Sequence, residues 1–159
     1  MYSFSCILAF NPIQVRVAKF CNEGANRLTS LAASGGDDKT VRIWSCERAT
    51  NLATYSYVGT KSVGNSGGGV RDLSFFPSGM SLATCGMDGR TRMFDLRSDA
   101  VVQNLDCNDP SSSSSLSTVD SLSVHPDGTY LLCSTSDSAR DGRALLFDLR
   151  SPAKPLLTV

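Results

Sequence analysis

Histidine occurs once in the 159 residues, at His125. A Ser-His-Asp relay therefore has no spare imidazole, and a multi-histidine metal site has none. The six cysteines (Cys6, Cys21, Cys46, Cys85, Cys107, Cys133) contain no C-x-x-C pair. Zinc and dithiol redox chemistry both need close spacing, so no metal and no cofactor is expected. A secretory leader is not evident either. "MYSFSCILAF" has an apolar patch but no basic residues ahead of it and no small-residue cleavage site, and it reads as a buried strand. The cysteines are then expected as reduced, mostly buried thiols in the cytoplasm, with the nucleus as the alternative.

Charge of one sign is lacking too. Fifteen basic and 15 acidic side chains give a formal net charge of zero, which offers no electrostatic reason to expect nucleic acid or an anionic membrane. The basic residues Arg42, Arg71, Arg90, Arg92 and Arg143 stand singly rather than clustered with aromatics. No stretch approaches the roughly 20 apolar residues a membrane-spanning helix needs, and no sustained helical period appears. The 41% of hydrophobic residues suffices for one modest core.

What is present is a repeat. "DGRTRMFDLR" (88–97) and "DGRALLFDLR" (141–150) agree at seven of ten positions. The duplication runs backward to "VRDLSFFPSG" and "VDSLSVHPDG": an alternating strand ending in a turn, with φ preset by Pro77 and Pro126 and the left-handed position open to Gly79 and Gly128. A third copy lies upstream, with "VRVAKF" as its first strand and "LAASGGDDKTVRIW" as its second and third. In every copy an Asp precedes an aromatic by six residues: Asp38 and Trp44, Asp88 and Phe94, Asp141 and Phe147. Alternation after each Asp predicts a half-buried strand, and an outer strand follows near Leu52, Val101 and Leu156. The unit is four short antiparallel strands, predicted three times over residues 6–58, 59–107 and 116–159, with a Ser-rich insert at 108–118. Such a unit is one blade of a β-propeller, so the expected fold is an all-β fragment of about three blades. Three blades do not close a ring. The chain stops at Val159 inside the outermost strand of its third unit, so a fragment of a longer chain that supplies the remaining blades is expected, with closure by self-association or a chain unstable alone as the alternatives.

"SGGDDKTVRIW" resembles the signature of WD40 repeats, and the "FFPSG" and "HPDG" turns resemble their first hairpin. The copies depart from that family: the opening Gly-His is missing, and Trp-Asp appears as "WS", "FD" and "FD". Of the family's hydrogen-bonded network, the resemblance leaves Ser34–Asp38–Trp44 and Thr84–Asp88, which implies less rigid blades. The order of unit types is also similar to the C-terminal repeats of a microtubule-associated WD-repeat protein.

Other motifs reduce to structure. Asp38, Asp88 and Asp141 could form a carboxylate set, but each sits in its own blade where it can accept backbone N–H groups. "GNSGGG" (64–69) is glycine-rich, yet it leads into a strand and lacks the downstream Lys of a phosphate loop. His125 reads as a solvated turn residue. The Ser-rich insert reads as a linker with phosphorylatable hydroxyls.

The family resemblance implies a non-enzymatic protein–protein interaction scaffold. Partners bind such proteins on the face of the second-to-third-strand loops and the inter-blade loops: Asp37–Lys39, Met87–Arg90, Ser136–Arg143 and part of Tyr57–Gly69 here. Met87, Arg90 and Arg140 are the contact candidates, since Met and Arg are enriched at interface cores. The alternative is a substrate receptor. The two FDLR tetrads resemble the W-D-x-R motif of WD40 proteins that dock on the DDB-type adaptor of cullin ubiquitin ligases, with Arg97 and Arg150 as docking residues.

Overall fold

Period-two alternation becomes β-structure throughout the computed structural model, which describes residues 14–21, 30–56, 69–108, 117–136, 142–152 and 154–159. The strands are β1 (Val15–Phe20), β2 (Leu31–Gly36), β3 (Thr40–Ser45), β4 (Thr50–Ser56), β5 (Val70–Phe75), β6 (Ser81–Gly86), β7 (Arg90–Asp95), β8 (Ala100–Asp106), β9 (Thr118–Val124), β10 (Tyr130–Ser136), β11 (Arg143–Asp148) and β12 (Leu157–Thr158). Among the described residues there is no α-helix. They pair into three antiparallel sheets, β1-β2-β3-β4, β5-β6-β7-β8 and β9-β10-β11-β12. The N-terminal strand expected at "MYSFSCILAF" lies outside the described residues, as does most of the Ser-rich insert.

Turn chemistry closes the first hairpins of the second and third sheets. Gly79 N–H donates to the Phe76 carbonyl at 2.8 Å, and Gly128 N–H donates to that of His125 at 2.8 Å. Both glycines take the left-handed conformation, at φ 68° and 75°. A Pro-containing turn followed by a left-handed residue carries the chain back on itself. The turns between third and fourth strands reach the same conformation without glycine, at Ala49 (φ 52°) and Asp99 (φ 53°).

Blades stack through their apolar faces. Ala33, Val41 and Ile43 of the first sheet pack on Val70, Leu73 and Leu82 of the second. Ala83, Cys85 and Met93 of the second pack in turn on Leu122, Leu131 and Cys133 of the third. Alternate side chains along each strand point to opposite faces, so every blade offers one apolar face to each neighbour. Leu82 and Leu131 occupy equivalent register positions, pairing with Phe94 and Phe147, as Ala32 pairs with Trp44.

Each inner strand carries a β-bulge at the same place. The register skips between Val15 and Val17, between Val70 and Asp72, and opposite Ser134/Thr135. The extra residues are Arg16, Arg71 and Asp120. A bulge twists the strand and re-aims the inserted side chain, so the repeat places one charged residue per blade at the same end of the sheets as the second-to-third-strand turns.

Candidate interaction surface

The turn between β2 and β3 is built on Asp38. Its carboxylate accepts from the Thr40 backbone N–H at 3.1 Å, from the Thr40 hydroxyl at 2.9 Å, and from the Arg42 guanidinium at 2.6 Å. Asp88 repeats the device in the second blade, taking Arg90 N–H at 3.3 Å and Arg92 at 2.6 Å. Lys39 and Gly89 complete the turns at φ 60° and 70°. A Cβ on Gly89 would lie 2.3 Å from the Asn108 side-chain oxygen, which would have to shift to admit it.

The hydrogen-bonded network differs from the expected one. Trp44 donates its indole N–H to Ser34 Oγ at 2.9 Å, but the Asp38 carboxylate is engaged by Thr40 and Arg42, not by Ser34. Thr84 is fully buried and its hydroxyl has no hydrogen-bond partner, so the Thr84–Asp88 bond is not made. Phe94 stands where Trp44 stands in the first blade, and a phenyl ring has no N–H to offer the Thr84 hydroxyl. The bond to the turn aspartate is missing in both blades. Arg42 and Arg92 hold the carboxylates instead, a role the spacing of four residues after each Asp could have signalled. Phe147 is buried at the equivalent place in the third blade. Its partner Asp141 lies outside the described residues, as does Arg140.

Met87 and Arg90 flank the second turn. Met87 is half-buried, with its N–H donating to the Gly69 carbonyl at 3.3 Å. Arg90 stands 3.7 Å from Asp106. Beside them, Asp37 receives a forked bond from Arg16 at 2.7–3.0 Å. The hydrogen bond from Arg16 keeps the Asp37 carboxyl below its ordinary range. This end of the blades therefore presents Met87 among fixed Asp–Arg pairs.

The two FDLR arginines are in different states. Arg150 grips Asp148 at 2.9 and 2.6 Å and lies 5.7 Å above the Tyr130 ring centroid. Arg97 contributes only its backbone N–H, to Asp95 at 2.7 Å, and among the described residues its exposed guanidinium has no ion-pair partner. His125 is a turn residue with its imidazole 2.8 Å from Asp127. Asp127 is held at about 2, first by the Thr129 hydroxyl and N–H.

Asp72 was missed by sequence reasoning and joins all three blades. It stands on β5, buried, and accepts Lys19 Nζ of β1 at 2.7 Å. From β9 it accepts Leu122 N–H and the Ser121 hydroxyl, each at 3.0 Å. Burial pushes its pKa up, and the bonds from Lys19, Leu122 and Leu73 bring it below the ordinary value. At the blade turns, Asp37, Asp38 and Asp88 are each tied to an arginine. Among the described residues no group of His, Cys, Asp or Glu could hold a metal.

Three sheets joined by their inner strands define a run of propeller blades. The family description "WD domain, G-beta repeat" matches residues 15–45, 56–95 and 109–148, one stretch for each sheet. The chain belongs to the WD40 repeat family. It is similar to the guanine nucleotide-binding protein subunit beta of Zea mays, 31% identical over 109 residues, which is 69% of this chain and 27% of that protein. The protein of the same name from Oryza sativa subsp. indica is 28% identical over 110 residues, again 69% of this chain and 27% of the relative. The chain thus spans about a quarter of the length of these curated relatives. The expected likeness to the microtubule-associated protein nemitin has no support in these comparisons.

Proposed function

We propose that the chain is a non-enzymatic interaction scaffold that holds partner proteins at the second-to-third-strand turns, with Met87 and Arg90 as contacts and Arg140 of the third repeat as a further candidate. The supporting observation is the fixed geometry of that end. Asp38–Arg42 and Asp88–Arg92 brace the two turns from within each blade, so an interface forms there with little ordering cost. The relatives' name describes a subunit, a protein that works inside an assembly, and the same role is proposed here. The compartment is the cytoplasm or nucleus, consistent with the five free cysteines among the described residues. Affinity purification of the tagged chain against Met87→Ala/Arg90→Ala is the test. Loss of a defined partner set supports the reading, whereas an unchanged set refutes it.

A second reading is favoured by one observation, the unpaired Arg97. It is a substrate receptor docking on a DDB-type adaptor of a cullin ubiquitin ligase through Arg97 and, less readily, Arg150, whose guanidinium is already held by Asp148. Capture of purified adaptor that Arg97→Ala abolishes and Arg150→Ala weakens less supports it. No capture by the unaltered chain ends it.

A further inference from the structure

The inner strands have a second end, about 17 Å from the turns just described at some 3.3 Å per residue. There β1, β5 and β9 finish on Phe20, Phe75 and Val124, which share one register position, facing Ala32, Leu82 and Leu131. The following hairpins add Phe76 and Pro77 from the second blade and Pro126 from the third. Together they line a cleft of about 300 Å³ contributed by all three blades. Among the described residues its lining contains one cation, Lys19, and no carboxylate. Phe20 is 48% exposed.

Lys19 is not consumed by its ion pair. Asp72 already accepts Leu73 N–H at 2.8 Å and Leu122 N–H and the Ser121 hydroxyl at 3.0 Å. An ammonium has three N–H donors, the carboxylate takes one, and the Lys19 side chain is 42% exposed. A cleft whose described wall is made of aromatic and proline rings with a cation and no anion is complementary to an aromatic side chain next to a carboxylate. The ring packs edge-to-face or offset on its phenyl neighbours, and the acid meets the ammonium in a charge-assisted bond.

We propose that this cleft binds an extended segment of a partner protein in which an aromatic residue is flanked by Asp or Glu. The site is independent of the turn face, since it lies at the opposite end of the same strands. It makes the scaffold two-ended.

The test is fluorescence anisotropy of the full chain with a fluorescein-labelled Gly-Ser-Asp-Phe-Asp-Ser-Gly peptide. Its Asn-Phe-Asn and Asp-Gly-Asp counterparts serve as probes of charge and ring. The Asp-Phe-Asp peptide should bind about tenfold more tightly than either. Lys19→Gln should erase the preference for Asp over Asn, and Phe20→Ser should weaken both Phe peptides about fivefold. Met87→Ala and Arg97→Ala should leave all three titrations unchanged, so failure at the turn face and failure here are separable. Thermal melts of Lys19→Gln and Phe20→Ser confirm that each is folded before it is titrated. Equal binding of the Asp and Asn peptides overturns the proposal, as does a charge preference that survives Lys19→Gln or the absence of saturable binding. A concentration-dependent dimer in light scattering that Phe20→Ser abolishes would assign the cleft to a second copy and also overturn it.

Discussion

Replacing Asp72 by alanine should loosen three blades at once. The carboxylate takes two donors from β9, Leu122 N–H and the Ser121 hydroxyl, and one from β1, the Lys19 ammonium. A hydrogen bond to a charged group contributes about 1.5–3 kcal/mol. The Lys19 pair, open to solvent at the lysine end, adds no more than about 1 kcal/mol. Alanine also leaves the Leu122 N–H without its acceptor in a residue that is 4% exposed. Against this, the variant no longer desolvates a carboxylate. The expected net loss is about 3–4 kcal/mol, or about 10 °C in Tm for a chain of this size. Circular dichroism melts and urea titration measure it. Thiol titration localises it, because Cys85, Cys107 and Cys133 are buried where the second blade meets the third and should gain reactivity. A loss below about 1 kcal/mol with unchanged thiol reactivity would refute the claim that Asp72 fastens the blades.

The pH dependence has a definite sign. The folded chain holds the Asp72 pKa below the ordinary carboxylate value. Its contribution is therefore fully present above the unfolded pKa, about 3.9, and is lost as pH falls from there through the folded value. Asp72→Asn should flatten that acid limb, and an unchanged limb would assign the acid sensitivity to other carboxylates.

Ser34→Ala should cost about 1–2 kcal/mol, since it strips the acceptor from the buried Trp44 indole, whereas Thr84→Val should be neutral or stabilising by about 1 kcal/mol, its hydroxyl being buried without a partner; paired urea titrations decide. Ala49→Gly should stabilise by about 0.5–1 kcal/mol, because alanine at φ 52° is strained and glycine is not, less the entropy glycine adds to the unfolded chain. Leu132→Ser should leave the melting curve within about 0.5 kcal/mol while lowering binding of an apolar dye. Leu132 is 48% exposed although its register equivalents Ala33 and Ala83 are fully covered by the next blade.

Most of the architecture was legible because it is local. Alternation in "VRVAKF" and "VRDLSF" becomes β1 and β5, and the Pro-Gly turns stand where their φ requirements put them. The bonds within the blades were read less well. Asp38 and Asp88 accept backbone N–H groups as expected, yet the arginines four residues on carry their shortest contacts. The Thr84–Asp88 bond implied by the resemblance is not made, and with Phe94 in place of tryptophan no indole reaches the buried Thr84 hydroxyl either.

Asp72 was hidden for a different reason. In "VRDLS" it reads as an ordinary polar residue of an alternating strand, and its acceptor role depends on residues 49 and 50 positions later. A signal existed: the equivalent register positions carry Val17 in β1 and Ser121 in β9. A carboxylate at a position that is apolar in one copy and hydroxylic in another is either a misfit or a cross-link. The contacts decide which. Just after the bulge at Arg71, Asp72 reaches Lys19 of one neighbouring blade and Ser121 and Leu122 of the other. Repeats make their own comparison possible in this way, since the position where one copy breaks the pattern is where contacts between copies are to be sought. The same comparison marks Lys19, which stands where the other inner strands carry Ser74 and Ser123 and supplies both the outer arm of the Asp72 node and a cation of the cleft below it.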